Sequence, residues 1–223
     1  MKTLRLTFCV GLFFATAIPF PCFGQAAPCP STTAICGATT PALAGNQGST
    51  SCYDDSYGGG GDAAFNYGLG SSSIHFFNDH VALTTEDTFW FEGPVPGQTI
   101  NAKATLAVNG QACEGDGATV FATFQVSPGT AQTFVITAPV PTGCRTDAQT
   151  LTQDVAFVVG QTFAIHVALD SNPAAGGSGF MATQLQFEQI PANVSLRSCH
   201  GYRQDGPVPA LARSWGSIKS LYR

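Results

Sequence analysis

Residues 162–170 alternate in polarity along their whole length. Phe163, Ile165, Val167 and Leu169 fall on one side, and Thr162, Ala164, His166, Ala168 and Asp170 on the other. A period of two is what a half-buried strand requires, because successive side chains leave a pleated backbone on opposite faces. Only Gly160-Gln161 separates this stretch from the apolar run 155–159, which predicts a two-residue hairpin. A Gly/Ala-rich loop over 172–179 then leads to a further strand over 181–187. Earlier strands are predicted over 63–69, 74–77, 88–92, 100–108, 119–126 and 132–138, with a last apolar piece at 194–196. Turns are expected at 94–97 and 127–130 from their Pro and Gly, and at Asn109-Gly110, the strongest short hairpin signal in the chain.

Roughly nine or ten short strands, with no helical periodicity before the final residues, predict an all-β chain. The pattern fits an antiparallel sandwich or barrel, and a jelly-roll-like β-sandwich best.

The ends of the chain have a different character. Lys2 and Arg5 precede an apolar run over 6–18, followed by Pro19, Pro21 and Gly24, which predicts a secretory signal peptide over 1–24 cut after Gly24. A lipid anchor on Cys22 is the alternative, disfavoured by Pro21. No later stretch is long and apolar enough for a transmembrane helix. Residues 25–62 are rich in Ala, Pro, Ser, Thr and Gly and predict an irregular arm held by its cysteines. The sandwich is expected over 63–202. Residues 203–223 predict a basic tail in which Pro207 and Pro209 would stiffen a linker and Ser214 could cap a short helix with Trp215, Ile218, Leu221 and Tyr222 on one stripe.

Charge excludes one class of partner. Between Gln25 and Tyr202 the basic residues are Lys103, Arg145 and Arg197, against thirteen acids. Such a body lacks the basic stripe that phosphates require, so nucleic acid is not expected.

Setting aside Cys9 and Cys22 in the leader, six cysteines remain, an even number that reads as a disulfide framework and an exported protein. Cys113 and Cys144 lie symmetrically about the turn at Pro128-Gly129, so an in-register hairpin brings them together. Cys52–Cys199 would then tie the start of the domain to its end. Cys29–Cys36 remains, closing a short local loop.

Candidate chemistry is sparse. Asp54, Asp55 and Asp62 surround Gly58–Gly61, and a calcium ion is the cation whose oxygen ligands such carboxylates and carbonyls could supply. The spacing is not that of an EF-hand, and a solvated glycine turn is the simpler alternative. Trp90 and the group Tyr53, Tyr57 and Tyr67 are candidates for stacking on a sugar; Trp90 leaves the face occupied by Phe89 and Phe91. Glu86, Asp87 and Glu92 are close in sequence, and a glycosidase needs two carboxylates at a set separation. No nucleophile elbow or zinc-protease motif accompanies them, so no catalytic residue is expected. His75, His80, His166 and His200 are scattered.

The segments 158–169 (Val-Val-Gly-Gln-Thr-Phe-Ala-Ile-His-Val-Ala-Leu) and 179–187 (Gly-Phe-Met-Ala-Thr-Gln-Leu-Gln-Phe) resemble the second half of a β-sandwich domain found in bacterial exported proteins of unknown function, including those with PEP-CTERM anchors. The resemblance covers about 73–191 and implies an extracytoplasmic sandwich. The Pro-Glu-Pro motif and terminal apolar span of the anchored members are missing, so the resemblance does not extend to their anchor. The ending Trp-Gly-x-Ile-Lys-x-x-Tyr-Arg resembles terminal tails of exported proteins of environmental bacteria. That likeness implies a sorting tag; a brace on the acidic body is the other reading. The expectation is therefore a secreted, non-catalytic β-sandwich module, surface-associated or accessory. A calcium-dependent or carbohydrate-binding module, with a glycan or cell-surface partner, is the alternative.

Overall fold

A computed structural model describes residues 29–37, 39–40, 42–54, 58–113, 117–140 and 143–206. The predicted leader and C-terminal helix lie outside these residues. The strands of the first half are β1 (Thr32–Cys36), β2 (Ala42–Leu43), β3 (Gln47–Asp54), β4 (Gly59–Asn66), β5 (Ser71–Phe77), β6 (Val81–Glu92) and β7 (Thr99–Cys113). The second half supplies β8 (Thr119–Val126), β9 (Gln132–Thr137), β10 (Cys144–Val158), β11 (Thr162–Asn172), β12 (Ser178–Glu188), β13 (Ser195–Ser198) and β14 (Arg203–Asp205). They form two antiparallel sheets. The front sheet runs β10-β7-β12-β5-β4-β3; the back sheet runs β14-β13-β6-β11-β8-β9, with β1 also on β6 and β2 on β1.

Alternation builds the core between the layers. The inward residues of β7 are Ile100, Ala102, Ala104, Leu106 and Val108, those of β11 include Ile165, Val167 and Leu169, and all are buried. Phe157 and Phe187 from the front sheet meet Phe89, Phe91 and Phe163 from the back sheet, Phe157 and Phe163 with ring centroids 4.1 Å apart. Fully burying one such side chain contributes roughly 1.5–3 kcal/mol. A polar staple also crosses the layers: buried Gln153 of β10 accepts from Val126 N at 2.9 Å and donates to Thr130 O at 2.7 Å.

β7–β10 is one long ribbon doubled over. β7 pairs with β10 in the front sheet, with Cys113 opposite Cys144, while the segment between them forms the β8–β9 hairpin of the back sheet. The Cys113–Cys144 bridge, at a Cα separation of 4.0 Å, closes the mouth of the front half of the ribbon.

Several expectations need correction. The strand ending at Val158 and the one starting at Thr162 are not a hairpin: β10 belongs to the front sheet and β11 to the back, and Gly160-Gln161 carries the chain between layers. Both strands turn apolar residues to the same interior, and alternation alone cannot tell a crossover from a hairpin. Asn109-Gly110 is not a turn but lies inside β7. Gly110 is there because a Cβ would lie 2.7 Å from Phe180 O and 2.9 Å from Met181 Sδ. The arm over 25–62 is not irregular where described. β1 adds to the back sheet through β6, β3 edges the front sheet, and β4 runs across the expected boundary at 62–63.

Two predicted disulfides are also wrong. Cys29 pairs with Cys199 and Cys36 with Cys52. Cys29–Cys36 cannot form because extended β1 lies between the two, advancing about 3.3 Å per residue. Cys52–Cys199 gives way because Cys52 sits on the front sheet with its side chain inward, facing Cys36 of the back sheet at a Cα separation of 5.7 Å. That bridge joins the two layers.

Candidate functional site

The outer face of the front sheet carries the site, and cross-strand register assembles it. Tyr53 on β3 stands opposite Gly60 on β4, and Gly60 opposite Phe77 on β5. Their inward neighbours are Cys52 and buried Phe76, so Tyr53 and Phe77 both point out, 73% and 54% exposed. Neighbouring strands are about 4.8 Å apart, so the two ring-bearing backbones stand roughly 10 Å apart with no side chain between them. Gly60 keeps that gap clear and cannot be replaced simply, since a Cβ would lie 2.5 Å from Cys52 O.

One step along the strands, Asp62 stands opposite His75, with Oδ2 3.1 Å from His75 Nδ1. The His75 ring in turn lies 5.9 Å from that of Phe180 on β12. Tyr53, Gly60, Asp62, His75 and Phe77 line a depression of about 310 Å³. A second depression, of about 540 Å³, lies over the other three strands, β12, β7 and β10. It is lined by Ala107, Asn109, Ala148, Thr150, Ala182 and Gln184.

Of the residues singled out from sequence, Asp62 lies in the first depression, bonded to His75. The Asp54 side chain, Asp55 and Tyr57 lie outside the described residues. Among the described residues no three His, Cys, Asp or Glu side chains group as a cation site would need. Trp90 sits on the back sheet, in the other layer from Asp62. It donates to Glu92 Oε1 at 3.1 Å and stands opposite Arg197, which bonds Asp205 at 3.0 Å. Ser195, Arg203 and Arg197 all donate to Asp205 and hold its carboxyl well below the usual range. Trp90 is thus set in a charged surface network.

Glu86, Asp87 and Glu92 do not converge. Glu86 and Glu92 face out, whereas Asp87 points into the core and is 3% exposed. It serves a structural cluster that the sequence did not reveal. β1 and β13 both pair with the same edge of β6, the first along Val81–Thr84 and the second along Phe89–Glu92. In the gap between them, Cys199 N donates to Thr88 O at 2.8 Å and Tyr67 Oη to Glu86 O at 3.1 Å. His200 stacks on Tyr67 at 4.2 Å and places Nδ1 3.0 Å from Asp87 Oδ1. Asp87 Oδ2 is buried with no hydrogen-bond partner among the described residues. Burial pushes the Tyr67 and Tyr202 hydroxyls up, the latter to about 12. The adjacent Cys-His at 199–200 is the only sequence hint of this cluster.

Tyr53, Phe77, Phe180 and His75 do not stand out as a group in the sequence, because three separate strands, β3, β5 and β12, contribute them. The fold and face define a two-sheet β module with an aromatic-lined polar surface. No family model matches the chain, and no curated protein matches it. Among solved structures the chain is similar to TmCBM61, determined in complex with β-1,4-galactotriose, at 10% identity over 66% of this chain and 91% of that one, with a TM-score of 0.31. It is also similar to the enzymatically active domain of bacteriophage CBA120 tailspike protein 4, at 14% identity over 71% of this chain and 19% of that one, with a TM-score of 0.23. Both likenesses are distant, and the functional reading rests on the geometry of the face itself. No helix among the described residues is long and apolar enough to cross a membrane.

Proposed function

We propose that the protein is an exported, non-catalytic, jelly-roll-like β-sandwich module that binds carbohydrate on the outer face of its front sheet. One observation carries this reading: Tyr53 and Phe77 stand exposed on either side of side-chain-free Gly60, with the Asp62–His75 pair alongside. A sugar ring has an apolar C–H face and a rim of hydroxyls. Aromatic rings take the first, and a carboxylate and an imidazole bond the second. A concave site with a few convergent polar groups is the usual form of a ligand pocket. Three disulfides support export, since such bridges persist in oxidising compartments. Glycoside hydrolysis needs a second carboxyl roughly 5–9.5 Å from the first, and Asp62 is the one acid lining this depression among the described residues.

Calorimetry against a panel of neutral oligosaccharides tests the reading. Saturable binding is expected, lost in Tyr53→Ala/Phe77→Ala with the melting temperature unchanged. A chain that binds none of the panel, or whose double variant binds undiminished, overturns it.

A further inference from the structure

The two depressions lie on one face and belong to opposite halves of one sheet. The first, about 310 Å³, covers β3, β4 and β5; the second, about 540 Å³, covers β12, β7 and β10. Where the halves meet, Ser73 of β5 stands opposite Ala64 of β4 and Ala182 of β12, a row of small side chains; one same-face step towards the first depression, His75 stands opposite Asp62 and Phe180 and flanks that row. We infer that they are two ends of a single track, and that the ligand is an internal stretch of an extended, uncharged polysaccharide laid across the strands. This rests on the carbohydrate reading above and fixes the class of carbohydrate.

Length supports it. From β3 to β10 there are five strand intervals, about 24 Å, and the interval is close to the advance of one pyranose in an extended chain, giving roughly five rings. The two ends differ in chemistry as subsites do. One is aromatic, through Tyr53, Phe77 and Phe180. The other presents the amide of Asn109, with donors and an acceptor suited to adjacent hydroxyls, and Gln184, whose Nε2 donates to Leu69 O and whose Oε1 can accept from a hydroxyl.

Charge selects against acidic polymers. The row Asn109–Ala182–Ser73–Ala64 carries no charge. Asp62 lies at one end of the face, and at the other Lys103 stands in register between Asp154 and Glu188. A uronate or sulfated chain would meet more acids than bases here. Among the described residues nothing walls the track at either sheet edge to recognise a chain terminus, which favours the interior of the polymer.

The test uses the full chain with cello-, manno-, galacto- and xylo-oligosaccharides of one to six residues, and polygalacturonate as the anionic control. Affinity for the matching series should rise about tenfold or more from one residue to six. In Ser73→Trp and in Ala182→Trp, a ring blocks the middle of the track. The gain with length should vanish while the shortest ligands still bind. Asn109→Ala/Gln184→Ala, which adds no bulk, should reduce the same gain. Affinity independent of length, a gain that survives all these variants, or preference for polygalacturonate would overturn the track and leave the carbohydrate reading standing. Failure of every sugar to bind would remove both.

Discussion

His200 Nδ1 lies 3.0 Å from Asp87 Oδ1, a buried contact between residues 113 apart in sequence. Asp87 Oδ1 also accepts from Thr88 N at 2.8 Å and His200 N at 3.3 Å. Removing one member leaves the other buried without its partner. His200→Ala or Asp87→Ala should each cost about 3–5 kcal/mol in urea unfolding. The double substitution should cost less than the two together, because the pair is then removed as a unit. Additive costs would show that the two residues act independently.

Tyr202 gives the protein an alkaline limit. Burial raises its hydroxyl from 10.0 to about 12. The unfolded chain therefore loses this proton first, binds fewer protons between those values, and gains relative to the fold as pH rises. The contribution is intact below about pH 10 and lost towards pH 12, up to roughly 2–3 kcal/mol in all. Tyr67 shifts in the same direction. Denaturant midpoints measured from pH 8 to 11 should fall, and less steeply in Tyr202→Phe. An equal slope in the variant would assign the decline to other groups.

Non-reducing peptide mapping should link Cys29 to Cys199, Cys36 to Cys52 and Cys113 to Cys144. The bridges close loops of very different length, with separations of 170, 16 and 31 residues. By chain entropy the first contributes about 5 kcal/mol and the second about 3. Cys29→Ser/Cys199→Ser should thus lower the melting temperature more than Cys36→Ser/Cys52→Ser. The reverse order would mean that joining the layers matters more than restricting the unfolded chain.

Asp62 already bonds His75, so sugar binding should need no cation. Dialysis against EDTA is expected to leave Kd unchanged. A loss restored by calcium would instead bring Asp54 and Asp55 together with Asp62 as ligands.

Much of the fold was legible because the central strands are half-buried. β7, β11 and β12 each turn an apolar row inward, and polarity alternation records that directly. Strands with little to bury leave no such mark. The first seven residues of β10, at the sheet edge, are exposed or half-exposed, and an apolar run marks the strand only from Val155 onwards. The run Gly58–Gly61 carries no polarity pattern either, and looked like a turn. Three of its glycines lie in β4, between strands so close that a Cβ on Gly61 would come within 2.2 Å of His75 O. The face itself was illegible for another reason. That Tyr53 and Phe77 flank Gly60 is a statement about register across three strands, and register is not written in any one of them.

The Cys29–Cys199 bridge has a mechanical meaning. Tension applied before Cys29 and beyond Asp205 would strip the three-residue β14 from β13 and then reach Cys199. There the load passes through a covalent bond to Cys29. The strands between these two cysteines are off the path of the force, and the outer face of the front sheet would keep its shape on a protein pulled from both sides.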